Sequence, residues 1–97
     1  MSKVPKSEYT FVKFKKGKYP KKYYAELKNK RTGREKNIAF GDVRYPQYKD
    51  KALGLYKSKD HNDKERRDSY RARHAKEVPS FKKYYSAGYF AYKFLWS

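Results

Sequence analysis

The side chains best suited to chemistry lie in one stretch, Asp60-His61-Asn62-Asp63-Lys64-Glu65-Arg66-Arg67-Asp68-Ser69-Tyr70-Arg71-Ala72-Arg73-His74. It holds both histidines and four of the seven arginines of the 97-residue chain. Histidine among carboxylates can serve as a general base or a metal ligand. The order Asp60-His61-Asn62-Asp63 after a hairpin suggests a ββα-metal nuclease. Such a site needs a histidine base on the hairpin and metal ligands on the helix, and this hairpin has no histidine. Within one helix, His61 and His74 would stand roughly 20 Å apart at 1.5 Å per residue, so they could not share a metal. No nucleophile elbow, phosphate loop or metal-ligand spacing occurs. With no cysteine, disulfides and Cys-ligated zinc are excluded. The residues read as non-enzymatic: no catalytic group, no cofactor, no metal and no small-molecule substrate is expected.

What the chain has in quantity is positive charge and rings. The formal net charge is +17, and aromatic residues make up 20% of the chain. Disordered basic tails are poor in aromatics, so a folded basic domain is expected. Lys28, Lys30, Arg31 and Arg34 surround a predicted hairpin tip, and Lys64, Arg67 and Arg71 form a stripe at helical spacing. Together they are the candidate nucleic-acid or polyanion-binding residues. Lysine predominates, and its hydrated ammonium suits phosphate attraction better than bidentate base reading. The expected contact is with the phosphate backbone, strongly salt-dependent and with little sequence choice. Exposed tyrosines among the lysines could stack single-stranded bases. The competing reading is a solvated basic surface with structural tyrosines, the helix arginines bonding carboxylates such as Asp42 and Asp50.

The elements that must position these groups can be read in outline, and they give an α+β class. Residues 1–8 are polar, contain Pro5 and read as an extended N-terminal arm; residues 9–97 form a single small domain. Tyr9 to Phe14 is rich in β-formers. Gly17, in the following loop, is free to take positive φ. Lys22 to Phe40 is a hairpin: Tyr23, Ala25 and Leu27 share one face, Ile38 and Phe40 continue it, and Gly33 suits a left-handed turn position. The three strands predict a small antiparallel β-meander. Val43 to Lys59 fits neither period and is expected as a long ordered loop, with one helical turn near 47–53.

Two short helices are expected after the loop. The first runs from Asp60 to about Lys76, capped by Asp60 or Asn62 and stopped by Pro79, with Tyr70 as its one large core anchor. The second follows Ser86 as N-cap. Tyr85, just before it, and Tyr89, Tyr92 and Trp96 follow a three-to-four spacing with Phe90 and Phe94 beside them, and this helix should be the main core donor. Tyr70, Tyr89, Phe90 and Trp96 are the expected structural residues. The most apolar stretch, 84–96, is too short to span a bilayer, and no apolar run follows Lys3 and Lys6 as in a signal peptide. A soluble, unsecreted protein without a membrane partner is expected.

The order of several pieces carries a resemblance. Arg31-Thr32-Gly33-Arg34, then Ile38-Ala39-Phe40-Gly41, Tyr48-Lys49-Asp50, Asp60-His61, Arg66-Arg67-Asp68-Ser69-Tyr70-Arg71-Ala72-Arg73-His74, Ser86-Ala87-Gly88 and the closing Leu95-Trp96 follow in succession. The chain from about residue 22 to 96 resembles a group of small basic proteins encoded by large DNA viruses of algae and amoebae, with relatives in some tailed phages. The resemblance implies a viral protein, located in the virion or inside the infected host cell, and implies no catalytic residues. The expected function is a non-enzymatic, minor structural or virion-associated component. Its partners would be the anionic genome, viral structural proteins it cements, or both. The alternative is a free nucleic-acid-binding accessory protein, without sequence specificity, acting in the infected cell; nuclease is a third class.

Overall fold

The structure is a computed structural model and describes residues 3–97. Alternating apolar residues build its centre. Strands β2 (Tyr9–Lys16), β3 (Lys21–Asn29) and β4 (Glu35–Asp42) form an antiparallel meander in that order. Tyr23, Ala25 and Leu27 are fully buried on one face of β3, and Ile38 and Phe40 extend that face onto β4. Period 2 alone would put Phe11 and Phe14 on opposite faces of β2. A register shift between Phe11 and Lys13 brings both rings to the core face, with centroids 4.8 Å apart, as a bulge does by adding one residue. At the hairpin tip Gly33 takes φ 75°, and Asn29 Oδ1 accepts hydrogen bonds from the Arg31 and Thr32 amides. Gly17 is needed for another reason than positive φ: a Cβ there would stand 2.6 Å from the Lys21 carbonyl oxygen.

The residues before β2 belong to the domain. Val4 and Pro5 form strand β1, paired antiparallel with β5 (Tyr84–Tyr85), and Val4 is buried in the core. The expected arm is therefore extended but docked from Val4 onward, because its one aliphatic side chain gains more buried than in water. Met1 and Ser2 fall outside the described residues.

The long loop is ordered by polar groups, and its helical turn is a 3₁₀ turn at Lys57–Lys59 instead of near 47–53. Gln47 is fully buried. Its side-chain oxygen accepts from the Lys22 ammonium, which also donates to the Tyr45 carbonyl at 2.8 Å. The Gln47 amide nitrogen donates to Asp60 Oδ1 at 2.5 Å and to the Tyr56 carbonyl at 2.8 Å. Asp50 accepts from the Tyr23 hydroxyl at 2.5 Å and from the Ala52 and Tyr56 amides at 3.0 Å. The loop folds around this knot because each buried polar group needs a partner once water is excluded.

Helix α1 spans Lys64–Arg73, shorter than expected. Its N-cap is Asp63, whose carboxylate accepts from the Glu65 and Arg66 amides. Asp60 is held in the knot, and Asn62 has φ 56°, so neither serves as the cap. After His74 the chain tightens into a 3₁₀ segment, Ala75–Lys82, which contains Pro79. Helix α2 (Ala87–Phe94) begins at Ser86, whose hydroxyl accepts from the Tyr89 amide. Phe90 of α2 stacks on Phe40 at 5.5 Å, and Phe94 meets Phe14 edge-on at 4.8 Å. The core side of α2 is thus Phe90 and Phe94, continued by the C-cap Leu95. Tyr85, Tyr89, Tyr92 and Trp96 are half-buried around it, as their polar ring atoms favour a wet edge.

Candidate nucleic-acid interface

Seven expected contact residues divide into two groups. Lys28, Lys30, Arg31 and Arg34 are exposed at the tip of the β3–β4 hairpin, and Lys64 is exposed at the start of α1. Arg67 and Arg71 are half-buried. The Arg67 guanidinium lies 5.0 Å from the centroid of Tyr48, and that of Arg71 lies 4.1 Å from the centroid of Tyr92. Arg71 also donates to the Trp96 carbonyl at 3.4 Å. These two arginines hold α1 against the domain by cation–π contact, so the stripe does not simply face solvent as the tip does.

Helix α1 buries none of its own residues. Tyr70 is half-buried and outside the core cluster, which corrects its expected role as a core anchor. It instead stacks on Trp96 with centroids 4.3 Å apart and planes at 7°, and the tilted His74 ring also lies 4.3 Å from it. A helix whose sequence is so polar has one large ring to offer, and that ring finds Trp96. Burial pushes the Tyr70 hydroxyl up to about 12, aided by the charge of Glu77.

The histidines are apart and separately engaged. His61 Nδ1 accepts from the Asp63 amide at 2.9 Å, while its Nε2 is buried without a hydrogen-bond partner. Its ring packs near Tyr48 and Trp96, with centroids 6.1 and 5.3 Å away. Burial, with the Arg66 charge second, lowers its pKa from the usual 6.5. His74 Nδ1 pairs with Glu77 at 2.6 Å. Among the described residues, no group of three or more His, Cys, Asp or Glu side chains could hold a metal ion.

Charge is distributed unequally. Asp50 and Asp60 lie in the knot and Asp63 caps α1. Glu26 pairs with Lys15 at 3.2 Å, Asp42 with Arg44 at 2.7 Å and Asp68 with Arg67 at 3.1 Å. The Arg44 hydrogen bonds hold the Asp42 carboxyl down at about 2. Lys22 is only 1% exposed, and burial lowers its pKa to about 8 against the opposing pull of Asp50 and Asp42. Burial and the bond to Asp50 push the Tyr23 hydroxyl far above its usual value. Among the described residues, the four hairpin-tip cations have no carboxylate within 4.0 Å.

Sequence reading missed two assemblies. One is the Lys22 knot, since strand alternation gives Lys22 no mark that separates it from Lys28. The other is a cleft of about 480 Å³ where Lys6, Lys82 and Lys93 join Arg71 beside Val78, Phe81 and Tyr92. Those cations come from β1's flank, α1, the 3₁₀ segment and α2, and no local pattern connects them. The hairpin-tip residues do not line this cleft. Of the expected structural residues, Phe90 is at the core centre, Tyr89 packs on Phe81, Tyr85 and Phe90, and Trp96 joins Tyr70 to His61.

No protein-family model matches the sequence, and neither a curated protein nor a solved structure matches it.

Proposed function

We propose that this protein is a non-enzymatic binder of nucleic-acid phosphate, acting as a minor virion-associated component that contacts the genome or cements shell proteins. The carrying observation is the hairpin tip: four exposed cations with no carboxylate within 4.0 Å among the described residues, on a chain of net charge +17. Most carboxylates serve the fold, so the uncompensated charge remains at the surface. Such a surface attracts a polyanion and releases its counterions on binding. The viral part of the reading rests on the ordered resemblance from Arg31-Thr32-Gly33-Arg34 to Leu95-Trp96.

Fluorescence anisotropy with a mixed-sequence duplex tests the binding. Four phosphates neutralised by the tip alone give an affinity loss of roughly a hundredfold between 50 and 200 mM salt. An affinity that barely changes over that range would refute phosphate attraction as the main term. Mass spectrometry of purified virus particles tests the location: recovery of the chain supports the virion role. Absence from particles, with binding retained, assigns it to an accessory role in the infected cell.

A further inference from the structure

The cleft between the N-terminal strand, α1, the 3₁₀ segment and α2 has features that the hairpin tip lacks. Lys6, Arg71, Lys82 and Lys93 line it together with Ser97, and among the described residues no Asp or Glu side chain does. Like charges gathered around one hollow repel each other unless an anion enters. Two of the ammonium groups share one ring: Lys6 Nζ lies 4.2 Å and Lys93 Nζ 5.4 Å from the centroid of Tyr89. Arg71 is pre-oriented by Tyr92 and by the Trp96 carbonyl. A guanidinium has five N–H donors, and one bond to a carbonyl leaves enough to grip a phosphate in bidentate fashion.

The wall is apolar as well. Val78 is 36% exposed and stands beside half-buried Tyr92, with Phe81 buried behind them. A cleft of about 480 Å³ falls within the usual range for small-ligand sites, large enough for a nucleotide unit. A base can lie against such a wall only if it has left the duplex stack. The hairpin-tip turn, Lys30 to Arg34, has no aromatic residue, so it can grip phosphates but cannot tell one strand from two.

We propose that this cleft docks single-stranded nucleic acid, with a phosphate among Lys6, Arg71, Lys82 and Lys93 and its base against Val78 and Tyr92. The proposal rests on the phosphate-binding reading and adds strand selectivity to it. The tip supplies charge to any nucleic acid, and the cleft adds affinity for an unpaired strand.

The test compares two variants that each remove two exposed charges: Lys82→Gln with Lys93→Gln in the cleft, and Lys30→Gln with Arg31→Gln at the tip. Circular dichroism and thermal melting establish that both fold as the parent does. Anisotropy is read with a ten-nucleotide single strand and with its duplex at fixed salt. The cleft variant should lose at least about tenfold in single-strand affinity but only about threefold for duplex, whereas the tip variant should weaken duplex at least as much as single strand. If the cleft variant weakens both ligands by the same factor, or weakens neither, the cleft proposal is overturned while phosphate binding stands. If the parent protein binds neither ligand at 50 mM salt, both readings fall together.

Discussion

Strand β3 carries lysines at both ends, and they live in opposite surroundings. Lys22, near the start, is buried; its ammonium donates to Gln47 and Tyr45, and burial lowers its pKa to about 8. Lys28, near the other end, is exposed beside Lys30, Arg31 and Arg34; Glu35 stands across the ladder from it, but among the described residues no carboxylate comes within 4.0 Å of its ammonium. The same side chain is a structural element at one end and a free charge at the other. The difference arises from where the carboxylates and the loop 43–63 are placed. Asp42, Asp50 and Asp60 act on the buried end, whereas Glu35, across the ladder from Lys28, makes no ion pair there.

The comparison predicts that substitutions at the two ends act on different observables. The largest stability effect should come from Asp50→Ala. It leaves the Tyr23 hydroxyl and the Ala52 and Tyr56 amides without an acceptor in a buried setting. At about 1–3 kcal/mol for each buried group left unpaired, the loss should exceed about 3 kcal/mol, lowering Tm by more than about 12 °C in a domain of this size. The tip pair Lys30→Gln with Arg31→Gln should stay within about 0.5 kcal/mol of the parent, as surface changes do. An Asp50→Ala protein melting within about 4 °C of the parent would mean that the knot does not hold the loop.

A smaller and more local effect is expected for Tyr70→Ala. With α1 joined to the domain through the Tyr70–Trp96 stack, the cost should be about 1–3 kcal/mol. Hydrogen exchange should show amides of residues 64–73 losing protection while those of β3 and β4 keep theirs. Equal loss in both would make Tyr70 part of the global core.

The smallest predicted effect is a pH dependence at His61. Its folded pKa is depressed, so the unfolded chain takes up the proton first. The stability held by neutral His61 is complete above the ordinary value of 6.5 and is lost as pH falls below it towards the lower folded pKa. Protonation at Nδ1 also opposes the bond from the Asp63 amide, next to the α1 cap. Between pH 7.5 and 5.0 the parent should lose more Tm than His61→Gln, which cannot titrate. An identical pH profile for the two would remove His61 from the account.

Much of the fold was legible wherever the signal is local. Alternation at Tyr23, Ala25 and Leu27 and at Ile38 and Phe40 marks the buried face of the meander, and Ser86 marks the start of α2. The start of α1 was obscured because Asp60, Asn62 and Asp63 are all good cap residues. Only long-range geometry decides among them: Asp60 bonds Gln47, and Asn62 adopts positive φ. The loop from 43 to 59 was expected to be ordered, but what orders it was invisible for the same reason, since its partners Lys22 and Tyr23 lie on β3. The docking of Val4 depends on Tyr85, almost the whole chain away. The hairpin-tip cluster was legible because four cations surround one turn. The cleft was not, because its cations stand at positions 6, 71, 82 and 93.

The most direct test of unopposed charge at the tip is a salt series on the variant with Lys28, Lys30, Arg31 and Arg34 all changed to Gln. The slope of log affinity for duplex against log salt should fall by about 3.6, four phosphate contacts at about 0.9 each, while Tm stays at or above that of the parent. An unchanged slope with intact folding would contradict the account.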